Sequence, residues 1–366
     1  MRTIRIGALG GVIDVELGAE VDPDLENQLA NVWLGAARSA ASGDADATVR
    51  VGIPDDDSAL DASDPRRLAS ELSSAVTMAA IGAARGRGLL LHAAGLAAED
   101  GRVVVFVAPS GGGKSTLTSS LGRHFGYVSD ETVLVEPSLA VHHYRKPLSM
   151  VEPGRSVKRQ IGPAELGLGE LPTEPLTLAG LVLLDRRQDA PVRHALTDVP
   201  LAEGVLELAQ QLSFAASDSL SLKWLVETAV AVGGIRRLTY RNDTDLREAM
   251  REVLASSHPV EHAWELDERQ AHASLAPETW VRHEEASALW DGERLLVWTP
   301  GTIHDVGNTA LMIWTALGNG PLVVEQLAGI VEEQIGPPPT GTTAEAIRPV
   351  LLELAAAGIL VWGGTA

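Results

Sequence analysis

Residues 103–116 read Val-Val-Val-Phe-Val-Ala-Pro-Ser-Gly-Gly-Gly-Lys-Ser-Thr, an apolar run of strand length that enters a glycine-rich turn and closes on Lys114, Ser115 and Thr116. A strand has to end at such a turn. Leu117 and Leu121, four residues apart, call for a helix after it. In a strand-turn-helix of this kind successive backbone N–H groups point into one concavity, and the helix N-terminus adds partial positive charge there. The segment therefore reads as a phosphate-binding loop. Ser110, Gly111, Gly112, Gly113, Lys114, Ser115 and Thr116 are expected to cradle a nucleotide, with Lys114 reaching its terminal phosphates and Ser115 holding Mg²⁺. Ala108 stands where the first glycine of the motif usually falls. A glycine-rich linker is the ordinary alternative, and the flanking strand and helix speak against it.

The chain has 366 residues, more than one core of about 250–300 residues sustains, so several domains are expected. The divisions read as an α+β region over 1–88, an α/β phosphate-loop domain over 89–257 and a small domain over 278–366. Hydrophobic residues at 45% and charged residues at 21% describe a globular chain. Zero cysteines exclude disulfides and thiolate metal sites. The formal net charge of −20 opposes attraction to nucleic acid and to anionic lipid, and suits a neutral or basic polypeptide partner better. Asp14 and Glu16 interrupt the apolar N-terminal run, which alternates as a strand and not as a secretion signal. No apolar stretch reaches the roughly 18–20 residues that cross a bilayer. A cytoplasmic protein, with neither nucleic acid nor membrane as partner, is expected.

Further along, a strand is expected near Ala47–Ile53, and a helix begins at Asp64 (N-cap) and Pro65, with Leu68, Leu72, Val76 and Ala79 on one face. Nothing in this N-terminal region suggests chemistry. Leu89–Leu96, the turn Glu99-Asp100-Gly101 and Val103–Val107 read as two strands of a hairpin, which sets His92 beside the strand feeding the glycine turn. After the loop helix come Ser129, Asp130 and Glu131, then a polar stretch whose Arg145, Lys146, Arg155, Lys158 and Arg159 read as a solvated basic loop. Leu178–Leu184 is a buried-strand candidate ending at Asp185, and 203–254 reads mainly as helices with a strand near Tyr240. Residues 256–277 read as a linker. Beyond it, Asp291-Gly292 marks a hairpin, three helical patterns follow, and Pro349 must sit in the first turn of the last helix or kink it.

Neither an Asn-Lys-x-Asp nor a Leu-Ser-Gly-Gly-Gln element is present, which argues against guanine selectivity and against a transporter ATPase. The order Leu91-His92-Ala93-Ala94-Gly95, glycine turn, Ser129-Asp130-Glu131 resembles the HPr kinase/phosphorylase family over about residues 70–250, most closely from His92 to Glu131. The resemblance implies an α/β kinase fold using ATP and Mg²⁺. It implies His92 and Lys114 at the transferred phosphoryl group, Asp130 as base for a Ser or Thr hydroxyl, and Ser115, Asp130 and Glu131 around the metal. It also implies a homo-oligomer. In the commoner arrangement of phosphate-loop proteins Asp185 would replace Asp130 at the metal. Glu131 stands where the family usually has Asp, and the segment tied to phosphorylase activity has no counterpart, so the reverse reaction is not expected.

Residues 278–362, with the hairpin, Leu295-Leu296-Val297-Trp298-Thr299-Pro300-Gly301, Asn308-Thr309-Ala310, Ile313-Trp314 and Gly358-Ile359-Leu360, resemble the small winged-helix-like PqqD-type domains of ribosomal-peptide maturation. That resemblance implies a leader peptide taken up as an added strand on a sheet edge. Joined, the two resemblances imply a kinase for a Ser or Thr of a ribosomally made precursor peptide. The alternatives are a nucleotide-sensing peptide adaptor, an ATPase coupled to a partner maturation enzyme and, for the small domain, a dimerisation or DNA-binding module, the last opposed by the charge.

Overall fold

The computed structural model describes residues 2–38, 40, 42–213, 221–242, 244–259, 264–267 and 276–364. Its N-terminal alternation folds as a hairpin in which Arg2–Ala8 pairs antiparallel with Gly11–Leu17. Leu9 and Gly10 turn the chain at φ 52° and 72°, the positive values that two-residue hairpins need. Ala47–Val51 adds in parallel to Gly11–Leu17. Two helices, Pro23–Ala37 and Pro65–Ala83, start on Asp-Pro pairs, Asp22 and Asp64 accepting from first-turn N–H groups. Their buried faces, with Leu29, Trp33, Leu68, Leu72 and Val76, share one core with Leu90, Leu134 and Tyr144 from further along the chain. Thr77 Oγ1 and the buried Tyr144 hydroxyl lie 2.9 Å apart, so this helix pair grips the segment that leads into Arg145 and Lys146.

The chain divides into two compact units, one of residues 1–200, 210–213 and 227–260, the other of 201–209, 214–226 and 261–366. A six-stranded mixed sheet organises the first. Its strand order is Ala195–Val199, Ile235–Tyr240, Thr177–Arg186, Arg102–Val107, Ala93–Ala97 and Gly126–Ser129. The three strands from Arg102, Thr177 and Ile235 run parallel; Ala93–Ala97 is antiparallel to Arg102–Val107, and Gly126–Ser129 to Ala93–Ala97. Gly126–Ser129 therefore points the same way as Arg102–Val107, and the two carboxyl ends share one edge of the sheet. Helices Lys114–Leu121 and Arg247–Ala255 cover one face through Leu117, Leu121, Met250 and Val253. Leu89–Leu91 joins a separate three-stranded sheet with Val133–Val135 and Val141–His142, so the expected single strand 89–96 is two strands meeting at His92.

The second unit holds a four-stranded antiparallel sheet ordered Glu265–Asp267, Ser287–Trp290, Leu295–Thr299 and Thr302–Val306, together with a two-stranded pair, Trp280–Arg282 and Leu360–Trp362. Asn308–Leu317, Val324–Ile335 and Thr343–Ala356 pack on it around Ile313, Leu317, Leu327 and Leu351. Glu265–Asp267 falls where a linker was expected, and most of that stretch, 260–263 and 268–275, lies outside the described residues. Asp267 pairs with the buried Arg282, whose guanidinium also bonds the Trp314 carbonyl and lies 4.3 Å from the Trp314 ring centroid. Pro349 is interior to its helix. Among the described residues no helix is long and apolar enough to cross a membrane.

Candidate functional site

The parallel strand Arg102–Val107 is buried from Val103 onward and delivers the chain to the turn 108–113. Gly111 and Gly113 take φ of 80° and 98°, which side-chain-bearing residues rarely adopt. A Cβ on Gly112 would sit 2.7 Å from the Ala108 Cβ, so that residue is needed for close packing. Ala108 has no positive φ, and alanine meets no backbone strain in place of the usual glycine. No side chain caps helix Lys114–Leu121, and its first N–H groups remain available to an anion.

Lys114 is buried, with Nζ donating to the Ala108 and Pro109 carbonyls. Burial pushes its pKa down to about 8, against the pull of the Asp130 carboxylate. Ser115 Oγ donates to Asp130 Oδ2 at 3.0 Å, and the fully buried Tyr127 hydroxyl lies 3.0 Å from Asp130 Oδ1 and 3.1 Å from the Lys146 carbonyl oxygen. Desolvation raises the Tyr127 pKa, so its phenol stays a donor. The register explains how Asp130 arrives. Gly95 pairs with Ser129 but Leu96 with Tyr127, so Val128 is an extra residue that turns the strand end toward the glycine turn. Ser129 Oγ then accepts from the N–H groups of Glu131 and Thr132, and the Glu131 carbonyl accepts from Ala93 N–H at 3.0 Å.

Ala93 pairs with Val107, which sets His92 at the start of its strand beside the end of Arg102–Val107. His92 N–H donates to the Gln211 carbonyl at 2.7 Å. Burial, reinforced by Lys114, lowers the His92 pKa and leaves a neutral imidazole at pH 7. His92, Ser110, Gly111, Gly113, Lys114, Ser115, Thr116, Asp130 and Glu131 line one cleft of about 540 Å³. Glu131 does not join Ser115 and Asp130; its carboxylate forms an ion pair with Lys146. Asp185 is not among the cleft walls and is held by Thr239 Oγ1 at 2.9 Å and Arg187 Nε at 3.1 Å.

Sequence reasoning missed three contributors. Arg186, the last residue of its strand, lines the cleft and hydrogen-bonds the Asn242 side-chain oxygen. Tyr240, at the end of the neighbouring parallel strand, has a buried hydroxyl without a hydrogen-bond partner, 3.0 Å from where a Gly113 Cβ would stand. Both lie at the carboxyl edge, where open parallel sheets bind ligands. The third is Lys146, expected in a solvated loop but buried; Arg145 is buried likewise and pairs with Glu170. Burial lowers the Lys146 pKa. Nothing local in the sequence marks these residues: strand order brings Arg186 and Tyr240 to the glycine turn, and Arg145 and Lys146 follow Tyr144, which is packed in the core of the helix pair.

Among the described residues no three His, Cys, Asp or Glu side chains form a metal cluster. The oxygen pair Ser115 and Asp130 still suits Mg²⁺, which keeps several waters and borrows substrate phosphate oxygens instead of filling a protein cage. No family model matches the chain, and no curated protein matches it.

Proposed function

We infer that the protein is an ATP-dependent kinase of the HPr-kinase-like phosphate-loop type, with a PqqD-type domain, that phosphorylates a Ser or Thr hydroxyl of a ribosomally made precursor peptide. The observation that carries this reading is the Ser115–Asp130 contact inside a cleft also walled by Lys114 and His92. The glycine turn and the free first turn of the helix would receive the phosphates, and Lys114 would move from its carbonyl partners to the terminal phosphate. Mg²⁺, when bound, would neutralise charge between the β- and γ-phosphates, held on the protein side by Ser115 and Asp130. The acceptor oxygen forms a bond to the γ-phosphorus as the bond to ADP breaks, and its proton passes to the Asp130 carboxylate. Neutral His92 lies close enough to Lys114 and Asp130 to feel both charges and would contact the transferred group.

In the second unit, Thr302–Val306 pairs with a single neighbour, so its other edge is unpaired among the described residues. An extended leader would add there through main-chain hydrogen bonds. Intact-mass analysis of the candidate precursor peptide with Mg-ATP tests the whole reading. A phosphoryl increment with wild-type protein that disappears with Asp130→Asn, while ATP still binds, is the expected result. ATP binding without any mass change would replace the kinase by a nucleotide-sensing adaptor or a partner-coupled ATPase.

A further inference from the structure

A second cavity, of about 600 Å³, adjoins the cleft and shares Glu131, Lys146, Ser149 and Lys158 with it. One wall is the helix Pro65–Ala83, through Arg67, Ser70, Glu71 and Ser74. The other is formed by Ser149 and by Ser156, Val157 and Lys158 of the loop that joins the strands Leu148–Met150 and Arg159–Ile161. Glu131, next to Asp130 in the chain, lines both spaces, so an acceptor chain reaching the cleft has this groove to lie in.

Its charges are almost all spent on each other. Residues 145–159 carry five cations and one acid, a local +4 in a chain of −20. Arg145 pairs with Glu170, Lys146 with Glu131, and Arg159 with Glu165 at 2.8 Å. The acid, Glu152, pairs with Arg66, and the helix wall's Arg67 pairs with Glu71 at 2.7 Å. Arg155 and Lys158 are exposed and make no ion pair among the described residues, and of these two only Lys158 lines the groove. An uncompensated ammonium at the junction of two cavities attracts an anion.

We propose that this groove is the acceptor subsite of the kinase reading and that Lys158 receives a carboxylate adjacent to the acceptor hydroxyl. The carboxylate belongs to an Asp or Glu side chain next to the Ser or Thr, or to a C-terminal Ser or Thr itself. Because the whole molecule repels acidic peptides, this local cation sets the preference at the point of capture. The inference rests on the proposed function, but its test does not need phosphoryl transfer.

The probes are fluorescein-labelled hexapeptides with Ser followed by Asp, Asn or Lys, and two ending in Ser as free acid or amide. Each is titrated by anisotropy into the full-length protein saturated with Mg-ADP. The Asp peptide or the free-acid peptide should bind about fivefold more tightly than its neutral counterpart, the effect of one partly exposed ion pair. Whichever pair shows the difference identifies the source of the carboxylate. Lys158→Ala should erase it and Lys158→Glu should reverse it toward the Lys peptide, each variant being held saturated with Mg-ADP. Equal affinities on wild type, no measurable binding at millimolar peptide, or a Lys158→Ala effect confined to the nucleotide would each overturn the proposal. If the preference holds but ATP yields no mass change on any peptide, the groove stands and the kinase reading falls.

Discussion

Lys114 carries an ammonium that the fold buries against two carbonyls at the end of a strand, and its pKa falls from 10.5 to about 8. Between those values the unfolded chain binds more protons than the folded one, so stability rises with pH through that window. Below pH 8 the full penalty of the buried charge is present. Lys114→Met should accordingly be the more stable protein at pH 7, by on the order of 1–2 kcal/mol, with the difference shrinking toward pH 10.5. Thermal unfolding at the two pH values checks this; an unchanged gap would show that another group sets the pH dependence. The same variant should lose nucleotide binding. At this scale the sequence was most legible, because the residues of the glycine turn are neighbours in the chain. The partners of Glu131 were not legible: its longer side chain reaches Lys146, fifteen residues away, and turns from the Ser115–Asp130 pair.

Among the elements, the acidic turn depends on Ser129, which is fully buried and accepts from two N–H groups. Ser129→Ala should destabilise the protein by about 1–3 kcal/mol, since both donors lose a partner in a dry environment. It should also lower kcat while leaving ATP affinity within about twofold, because Ser129 does not line the cleft. A fall in ATP affinity equal to the fall in kcat would count against a role confined to the acidic turn. The helix Pro65–Ala83, which showed no chemistry in the sequence, walls the groove beside the cleft. Its start was readable in Asp64-Pro65, and Asp64→Ala should cost about 1 kcal/mol in denaturant unfolding through the lost cap. The extra residue at Val128 left no such mark, because a strand irregularity is defined by the partner strand and not by its own residues.

For the whole molecule, the two units are not consecutive stretches of chain. Helix Leu201–Ala209 belongs to the second unit, where Ala202 N–H donates to Asp291 Oδ2 at 3.3 Å. Truncation near His258 would strip that helix of its partners, so leader use is better tested by shortening the peptide than by shortening the protein. If the leader acts as a tether, a leaderless core peptide should show a raised KM and a kcat close to that of the full precursor. Equal loss in kcat would mean that the leader also shapes the catalytic site. By itself the sequence determined the glycine turn, the helix start at Asp64-Pro65 and the alternation of the N-terminal strand, since turn chemistry, capping and periodicity act within a few residues. Tertiary structure alone decided that Asp130 and not Asp185 meets Ser115, that Arg186 and Tyr240 flank Gly113, and that Lys146 is buried. Those contacts join residues far apart in the chain, and strand order, register and packing across layers bring them together.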